Sequence, residues 1–385
     1  MESTSQVDAR IEVLLVEDPA AAGDRAAHAA DELRAGRPLV IHCCGQMGRK
    51  LARVLAREGV EVLAFSDNDH AKQGTGVDGL KVLAPADAAA RFGETAMFVV
   101  AKWSPGDGYL DVEAQLHGLG VGAIAPLPCF MWRYPDAMLP HYLFTTPDQL
   151  LAGRDEIAAA YALMSDDESR RQFAGQLEWR LTLDYTALAT LTGEQYFVPG
   201  LVSLGEHAVF VDCGAYDGDT IRTFLAATSG RFDGVVAFEP DSGSFARLEA
   251  FVASLPAGTR SRITTRNEAT GDVECELHFD ASGGTDARAS DVGAGVPVQC
   301  VRLDDAVDRA TYIKMDIEAA EEGSIRGASR LIREQAPDLA ICLYHTPDGF
   351  YRLPLLMHEL DPTSSLHCRG HEVDGLEFVA YATHR

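Results

Sequence analysis

The sequence predicts an α/β protein in two parts: a smaller N-terminal Rossmann-like α/β domain and a C-terminal domain with a doubly wound, mostly parallel sheet. In each part an apolar strand runs into a glycine-containing turn and a helix-periodic stretch, at residues 39–55 and again at residues 209–225. In each part the next apolar strand ends in an acid, Asp67 or Glu239. This order of elements is typical of parallel βαβ units.

Length, charge and cysteine content narrow the functional classes. The 385 residues are enough for two domains with full cores. A formal net charge of -25 disfavours a nucleic-acid partner, because binding to a phosphate backbone depends on basic residues. The chain has no apolar run of membrane-spanning length and begins without a basic and then apolar segment, so we expect a cytoplasmic protein with no membrane partner. The 8 cysteines include no C-x-x-C pair, which favours reduced thiols over a zinc site. A homo-oligomer stays open.

The predicted N-terminal domain, residues 1–145, has a defective dinucleotide fingerprint. Cys43 occupies the place of the first glycine of G-x-G-x-x-G, which leaves Gly45 and Gly48. Asp67 ends the next strand at a distance that suits a ribose. One interpretation is a nucleotide or nucleotide-sugar site at these residues. The favoured one is a fold kept for packing or substrate presentation, because a degenerate glycine turn is weak evidence.

Residues 119–147 are rich in proline and aromatic residues and predict a boundary that either lines a cleft or packs its aromatics as core. A helical connector is predicted over residues 146–193, with a helix that begins at Ser165 as its N-cap. The third predicted domain covers residues 194–385.

The C-terminal glycine turn has the pattern of a nucleoside site. Asp212 ends the strand, Gly214 and Gly218 allow the backbone to approach a ligand, and Thr220 begins the helix. Glu239, at the end of the next strand, can accept both ribose hydroxyls. S-adenosylmethionine suits such acids because its amino and sulfonium groups are cationic. The alternative is an ordinary turn with a solvated glutamate.

Three blocks, residues 210–220, 237–241 and 313–321, resemble the FkbM-type S-adenosylmethionine-dependent methyltransferase family. The resemblance implies a class I methyltransferase fold, in which the mostly parallel seven-stranded sheet ends in a closing antiparallel hairpin. It also implies S-adenosylmethionine as methyl donor. Ala319 departs from the family, which usually has glycine there, and this bears on the tightness of that turn.

The donor site predicted from these blocks and the neighbouring third strand comprises Asp212, Gly214, Tyr216, Asp217, Gly218, Thr220, Glu239, Pro240 and Asn267. Gln195-Tyr196-Phe197 resembles a Gln-Tyr-Phe segment that precedes the first strand in FkbM-type proteins with an N-terminal extension. We expect this segment to touch the donor. Residues 273–279 predict an added hairpin and residues 280–295 a mobile loop.

Methyl transfer to a hydroxyl requires a positioned acceptor and removal of its proton. We predict His345 as the base, because its reference pKa of about 6.5 leaves it largely neutral. Asp316 and Glu318, two residues apart, would share a face if the strand continued, and would orient the acceptor. Lys314 is expected to pair with Asp316. A cation on the two carboxylates is less favoured, so no metal site is predicted.

The predicted function is therefore O-methylation of a hydroxyl on a sugar or natural-product-like small molecule, the acceptor class that the family resemblance implies. Two other classes remain. One is a nicotinamide-dependent oxidoreductase that uses the N-terminal domain. The other is a non-catalytic nucleoside-binding protein that retains the fold.

Overall fold

The computed structural model describes residues 3–188, 193–279, 289–290 and 296–384. Among these residues, none of the helices combines the length and the apolar character of a membrane-spanning helix. The helices are α1 (Thr4–Val16), α2 (Pro19–Arg34), α3 (Gln46–Arg57), α4 (Pro85–Phe92), α5 (Tyr109–Gly118), α6 (Leu127–Arg133), α7 (Pro135–Met138), α8 (Pro147–Ala152), α9 (Arg154–Ala162), α10 (Asp167–Thr182), α11 (Asp219–Ala227), α12 (Ser242–Ser254), α13 (Ala257–Arg260), α14 (Leu303–Ala306), α15 (Glu321–Gly327), α16 (Ser329–Gln335) and α17 (Gly349–Leu360).

The strands form three sheets. They are β1 (Leu39–His42), β2 (Val62–Ser66), β3 (Gly76–Val77), β4 (Leu80–Leu83), β5 (Met97–Val100), β6 (Ile124–Pro126), β7 (Val209–Cys213), β8 (Gly234–Phe238), β9 (Ile263–Arg266), β10 (Ala269–Thr270), β11 (Cys275–Phe279), β12 (Ala289–Ser290), β13 (Val296–Val301), β14 (Tyr312–Met315), β15 (Asp338–Cys342), β16 (Ser365–Gly370) and β17 (Phe378–Thr383).

The N-terminal sheet has six strands in the order β3-β4-β2-β1-β5-β6, and all its pairs are parallel except β3 with β4. Its central strands, Leu-Val-Ile-His in β1 and Met-Phe-Val-Val in β5, are buried at every position. Such continuous apolar strands are expected in a parallel sheet covered on both faces. The predicted Rossmann-like domain is confirmed.

The C-terminal sheet has seven strands in the order β16-β17-β15-β14-β7-β8-β9. Strands β15 to β9 are parallel, and β17 and β16 close the sheet as an antiparallel hairpin. The predicted seven-stranded, mostly parallel sheet is confirmed. Its carboxyl edge collects the ends of β7, β8, β14 and β15, where ligands bind in this architecture.

A separate four-stranded sheet, β10-β13-β11-β12, lies beside the main one. It contains the predicted hairpin, with β11 antiparallel to both β13 and β12. Apart from residues 289–290, the loop predicted at residues 280–295 lies outside the described residues.

The connector is helical as predicted, but α10 begins one residue later than expected. Its N-cap is Asp166, whose carboxylate accepts a hydrogen bond of 2.7 Å from the backbone N–H of Ser169. Asp166 also forms an ion pair of 2.7 Å with Arg369 on β16. The proline-rich boundary segment contains the buried helix α6, so part of it does pack as core.

One hydrophobic core joins the two domains. It runs from Val40 and Val99 in the N-terminal sheet through Trp179 and Tyr185 to Tyr381 in the C-terminal hairpin. Trp179 is fully buried, and its ring meets the ring of Tyr185 edge to face at a centroid distance of 5.5 Å. The N-terminal domain is thereby packed against the hairpin side of the C-terminal sheet.

Candidate active site

The turn after β7 depends on its two glycines. Gly214 has φ +81, and a Cβ atom there would lie 2.0 Å from the carbonyl oxygen of Asp316. Gly218 has φ +89, and a Cβ atom would lie 2.4 Å from the ring of Phe251. Both backbone conformations are ones that L side chains rarely adopt. Gly214 therefore lets the turn after β7 approach the turn after β14, and Gly218 lets it approach α12, without a side chain between them.

Asp212 is fully buried at the end of β7 and forms an ion pair with Lys314, whose Nζ lies 3.2 Å from Oδ1. Lys314 also donates a hydrogen bond of 2.7 Å to the carbonyl oxygen of Gly214. Burial raises the pKa of Asp212 to about 6, against the effect of Lys314. Lys314 therefore pairs with Asp212 and not, as expected, with Asp316. Lys314, whose charge Asp212 balances, thus holds the carbonyl oxygen of Gly214 at the start of the turn.

Glu239 lies beside the glycine turn and is oriented by backbone groups. Its Oε2 accepts a hydrogen bond from the N–H of Tyr216 and its Oε1 one from the N–H of Asp241, both at 2.8 Å. Burial raises the pKa of Glu239 to about 7, against these two hydrogen bonds. Each oxygen keeps a second lone pair, so the group can still accept hydrogen bonds from a diol.

The other predicted donor residues surround this acid. The amide of Asn267 donates hydrogen bonds to the carbonyl oxygens of Glu239, at 2.8 Å, and Pro240, at 3.1 Å, so it secures the end of β8. Asp217 binds Arg222 at 2.8 Å. The ring of Tyr216 lies 5.0 Å beneath the guanidinium of Arg247. Thr220 is buried in the first turn of α11.

The three residues predicted for catalysis do meet, although not on a continued strand. Strand β14 ends at Met315, and Glu318 and Ala319 take left-handed φ values of +55 and +80. Nε2 of His345 lies 3.3 Å from Oδ1 of Asp316 and 3.8 Å from Oε1 of Glu318. The turn thus brings both carboxylates to the end of the neighbouring strand.

His345 is enclosed by acids and is only 2% exposed. Its Nδ1 lies 2.7 Å from Oε1 of Glu321. Burial by itself would lower the pKa of His345, but Glu321, Asp316 and Glu318 outweigh it and raise the pKa to about 9. The imidazole therefore carries a proton at neutral pH, and the base role predicted for His345 needs correction, because a protonated ring cannot accept another proton.

Asp316 is the charged centre of this pocket. Its Oδ2 accepts a hydrogen bond of 2.9 Å from the hydroxyl of Tyr196, and its Oδ1 lies 3.3 Å from the hydroxyl oxygen of Tyr344. Burial would raise the pKa of Asp316, but Lys314 and His345 outweigh it and lower the pKa. Asp316 is therefore held as an anion.

Sequence reasoning missed Glu377, which precedes β17. Its Oε1 accepts a hydrogen bond of 3.0 Å from Tyr344, and its Oε2 one from the amide of Gln195. Asp316, Cys342 and Glu377 each bring one oxygen or sulfur atom within 4.8 Å of the others. We assign no metal ion to this cluster. Gln195 and Tyr196, which the sequence places near the donor, lie beside Glu377 and Asp316.

In the N-terminal sheet, the turn after β1 and the neighbouring acid, Asp67, are engaged in contacts within the protein. Cys43 has φ +78, and a Cβ atom on Gly48 would lie 2.1 Å from its carbonyl oxygen. Oδ2 of Asp67 accepts a hydrogen bond of 2.8 Å from the N–H of Cys44 and pairs with Lys72 at 3.1 Å. Burial would raise the pKa of Asp67, but the backbone hydrogen bonds and Lys72 outweigh it. The acid is thus engaged within the protein.

Comparison with known proteins gives a family match for part of the chain and a fold for nearly all of it. The Methyltransferase FkbM domain family matches residues 212–362. The crystal structure of Methyltransferase FkbM from Methylobacillus flagellatus KT superposes with a TM-score of 0.75 at 21% identity, over 98% of each chain. A putative rRNA-methylase from Clostridium thermocellum covers 50% of this chain and 96% of its own, with 10% identity and a TM-score of 0.34. Comparison with curated proteins found no significant match.

Proposed function

We propose that this methyltransferase, whose residues 212–362 belong to the FkbM family, transfers a methyl group from S-adenosylmethionine to a hydroxyl of a sugar or natural-product-like small molecule. The observation that carries the proposal is the adjacency of two sites on one sheet edge. The glycine turn with Glu239 suits a nucleoside, and the carboxylates and tyrosines around Asp316 suit a hydroxylated acceptor.

The donor side fits S-adenosylmethionine in two respects. Gly214 lets the turn after β7 pack directly against the backbone of Asp316, which brings the glycine turn and the cluster around Asp316 side by side. Glu239 has lone pairs left for the two ribose hydroxyls. When bound, the donor supplies an electrophilic methyl group on a cationic sulfonium. The acids at this edge favour such a cation electrostatically.

On the acceptor side, Asp316 and Glu318 orient the hydroxyl that is to be methylated. Asp316 is suited to accept a hydrogen bond from that hydroxyl, since Tyr196 and Tyr344 fix its carboxylate. The imidazolium of His345 lies within ion-pair distance of both acids and balances their charge. Protein groups thus provide the positioning on which a displacement at carbon depends.

For the N-terminal domain we propose packing and substrate presentation, not nicotinamide chemistry. Cys43 replaces the glycine that a pyrophosphate must approach, and Lys72 already pairs with the acid that would bind the ribose. The domain boundaries at residues 145 and 193 belong to this proposal.

The test combines binding and product analysis. Titration calorimetry with S-adenosylmethionine, S-adenosylhomocysteine and NAD should show binding of the first two only. Mass spectrometry over a panel of hydroxylated glycosides should show products heavier by one CH2. Absence of donor binding would refute the donor assignment. NAD binding that is lost in Asp67→Ala would support the oxidoreductase, and donor binding without any product would favour the non-catalytic protein.

A further inference from the structure

The turn that connects β16 to β17 brings the carboxylate of Glu377 to the cluster around Asp316. Within this turn Asp374 and Glu377 have left-handed φ values of +55 and +49. Residues other than glycine rarely hold this conformation unless their surroundings enforce it. The turn is therefore held in shape by contacts outside itself.

Those contacts come from the N-terminal domain and from helix α10 of the connector. The carboxylate of Asp374 accepts hydrogen bonds of 2.8 and 3.1 Å from the backbone N–H of Tyr109, at the start of α5. The indole N–H of Trp103 donates a hydrogen bond of 3.1 Å to the carbonyl oxygen of Asp374. A Cβ atom on Gly375 would lie 2.5 Å from the buried ring of Trp179. The position of Glu377 is thus fixed by a domain other than its own.

A single tyrosine hydroxyl lies between Glu377 and Asp316. The oxygen of Tyr344 is 3.0 Å from Oε1 of Glu377 and 3.3 Å from Oδ1 of Asp316. One hydroxyl has one hydrogen, so Tyr344 can donate to only one of the two acids at a time. When it donates to Asp316, the contact with Glu377 is a hydrogen bond only if Glu377 holds a proton. The arrangement accommodates a proton on Glu377 that can be gained and lost.

The surrounding charges assign that proton to Glu377 and not to Asp316. Lys314 and His345 hold Asp316 as an anion. Burial and the charge of Asp316 raise the pKa of Glu377 to about 7, against the effects of Gln195, Tyr344 and His345. Burial raises the pKa values of the nearby groups Tyr196, Tyr344 and Cys342 well above their usual range, so these stay neutral.

We propose that Glu377 is the proton acceptor for the hydroxyl that is methylated, which rests on the function proposed above. The proton of the acceptor hydroxyl passes to a carboxylate oxygen of Glu377, and the O–H electron pair stays on the acceptor oxygen. That oxygen forms the new bond to the methyl carbon, and the pair of the broken C–S bond leaves with the sulfur. A general base suits this role when it titrates near the working pH.

The first test requires no acceptor. In the full chain labelled with 13C at the glutamate carboxyl carbons, NMR should show two titrations near pH 7, those of Glu239 and Glu377, and only the second should disappear in Glu377→Gln. Because the sulfonium of S-adenosylmethionine is cationic, the Glu377 signal should titrate at lower pH in its complex than in the complex with neutral S-adenosylhomocysteine. Equal titration of the Glu377 signal in the two complexes, or persistence of both signals in Glu377→Gln, would overturn the proposal.

The second test uses the glycoside turned over best in the panel. Glu377→Gln should lose about 10²–10⁴-fold in kcat with donor affinity within about threefold of the parent, since a base acts on the chemical step. Glu372→Gln, the same change in the same turn, is the matched control and should keep kcat. Glu377→Asp should retain part of the activity, which guards against a variant that fails to fold.

Three results would contradict the base role. One is unchanged kcat in Glu377→Gln. Another is a rise in acceptor KM alone, which indicates binding only. The third is loss of turnover on addition of EDTA with recovery on addition of a divalent cation, which indicates activation by a metal. By contrast, a parent protein that binds no S-adenosylmethionine would refute the proposed function itself.

Discussion

The two parallel sheets build the same turn and use it differently. After β1, Cys43 has φ +78, and after β7, Gly214 has φ +81. At the end of the neighbouring strand, Asp67 accepts backbone hydrogen bonds and pairs with Lys72. Glu239 also accepts two backbone hydrogen bonds, but among the described residues it has no salt-bridge partner. The comparison teaches that one lysine can decide whether such an acid is available to a ligand.

The carboxyl edges of the two sheets also differ in the charge at their centre. The last residue of β1 is His42, which is fully buried and whose pKa burial lowers to about 4. The corresponding edge of the C-terminal sheet holds the Asp212–Lys314 ion pair and the protonated His345. The N-terminal edge is thus neutral at its centre, whereas the C-terminal edge concentrates fixed charge where chemistry requires it.

The largest expected difference in stability is between variants of the two lysines. Lys314→Met should lower the free energy of unfolding by about 3–5 kcal/mol, because it leaves Asp212 buried without its counterion. Lys72→Met should cost at most about 1 kcal/mol, since Lys72 is 42% exposed. Urea denaturation measures both. The double variant Asp212→Asn/Lys314→Met should recover much of the loss, and a double variant as unstable as Lys314→Met would contradict this account.

The two histidines should give opposite pH dependences of stability. The pKa of His345 is raised to about 9, so the stability it contributes is complete below about pH 6.5 and is lost as pH rises through 9. The pKa of His42 is lowered to about 4, so its contribution is complete above about pH 6.5 and is lost as pH falls through 4. Each window is worth on the order of 3 kcal/mol.

Unfolding free energies measured across the pH range test this contrast. His345→Gln should flatten the alkaline side of the profile. His42→Gln should flatten the acid side. If both variants flattened the same side, the assignment of opposite charge states to the two histidines would be wrong.

The strands and turns of the fold were predictable because short stretches of the sequence specify them. Runs such as Leu39–His42 and Val209–Cys213 are apolar over the length of a buried strand, and acids or glycines end them. The partner of Lys314 was not predictable in this way. Spacing along one strand suggested Asp316, but the parallel register places Lys314 beside Asp212 on β7. Cross-strand neighbours depend on strand order, which one sequence does not specify.

The candidate site was predictable in its members and not in their charges. Asp316, Glu318 and His345 could be identified because each follows an apolar strand. The proton on His345 depends on Glu321, which reaches it from the start of α15. Glu377 gave no local signal, because its role arises from a turn that the N-terminal domain holds in place. Such contacts join segments far apart in the chain.

The two acids should differ in their effect on donor binding. Glu239→Ala should weaken binding of S-adenosylmethionine by about 1.5–3 kcal/mol, the usual contribution of hydrogen bonds to a charged group. Asp67→Ala, the matched change in the N-terminal sheet, should leave the affinity unchanged. Titration calorimetry measures both, with thermal unfolding as a check on folding. Unchanged affinity in a folded Glu239→Ala would refute the assignment of the ribose contact.

The smallest expected effect concerns the two left-handed positions that lack glycine. Ala319 has φ +80 and Cys43 has φ +78, a backbone region that costs a residue with a side chain about 1–2 kcal/mol. Glycine removes this cost but gives the unfolded chain more freedom, worth about 0.4–1 kcal/mol. Ala319→Gly should therefore raise the free energy of unfolding by about 0.5–1 kcal/mol.

Cys43→Gly should gain less than Ala319→Gly, because Cys43 is partly buried and loses the contacts of its thiol, whereas Ala319 is exposed. Ala246→Gly, an exposed position inside α12, is the control and should lose about 0.5–1 kcal/mol, since glycine weakens a helix interior. Urea denaturation of the three variants orders them. If Ala319→Gly were as destabilising as Ala246→Gly, the left-handed backbone of Ala319 in the turn after β14 would not be strained. The close approach of Gly214 to Asp316 would then impose no strain on that turn.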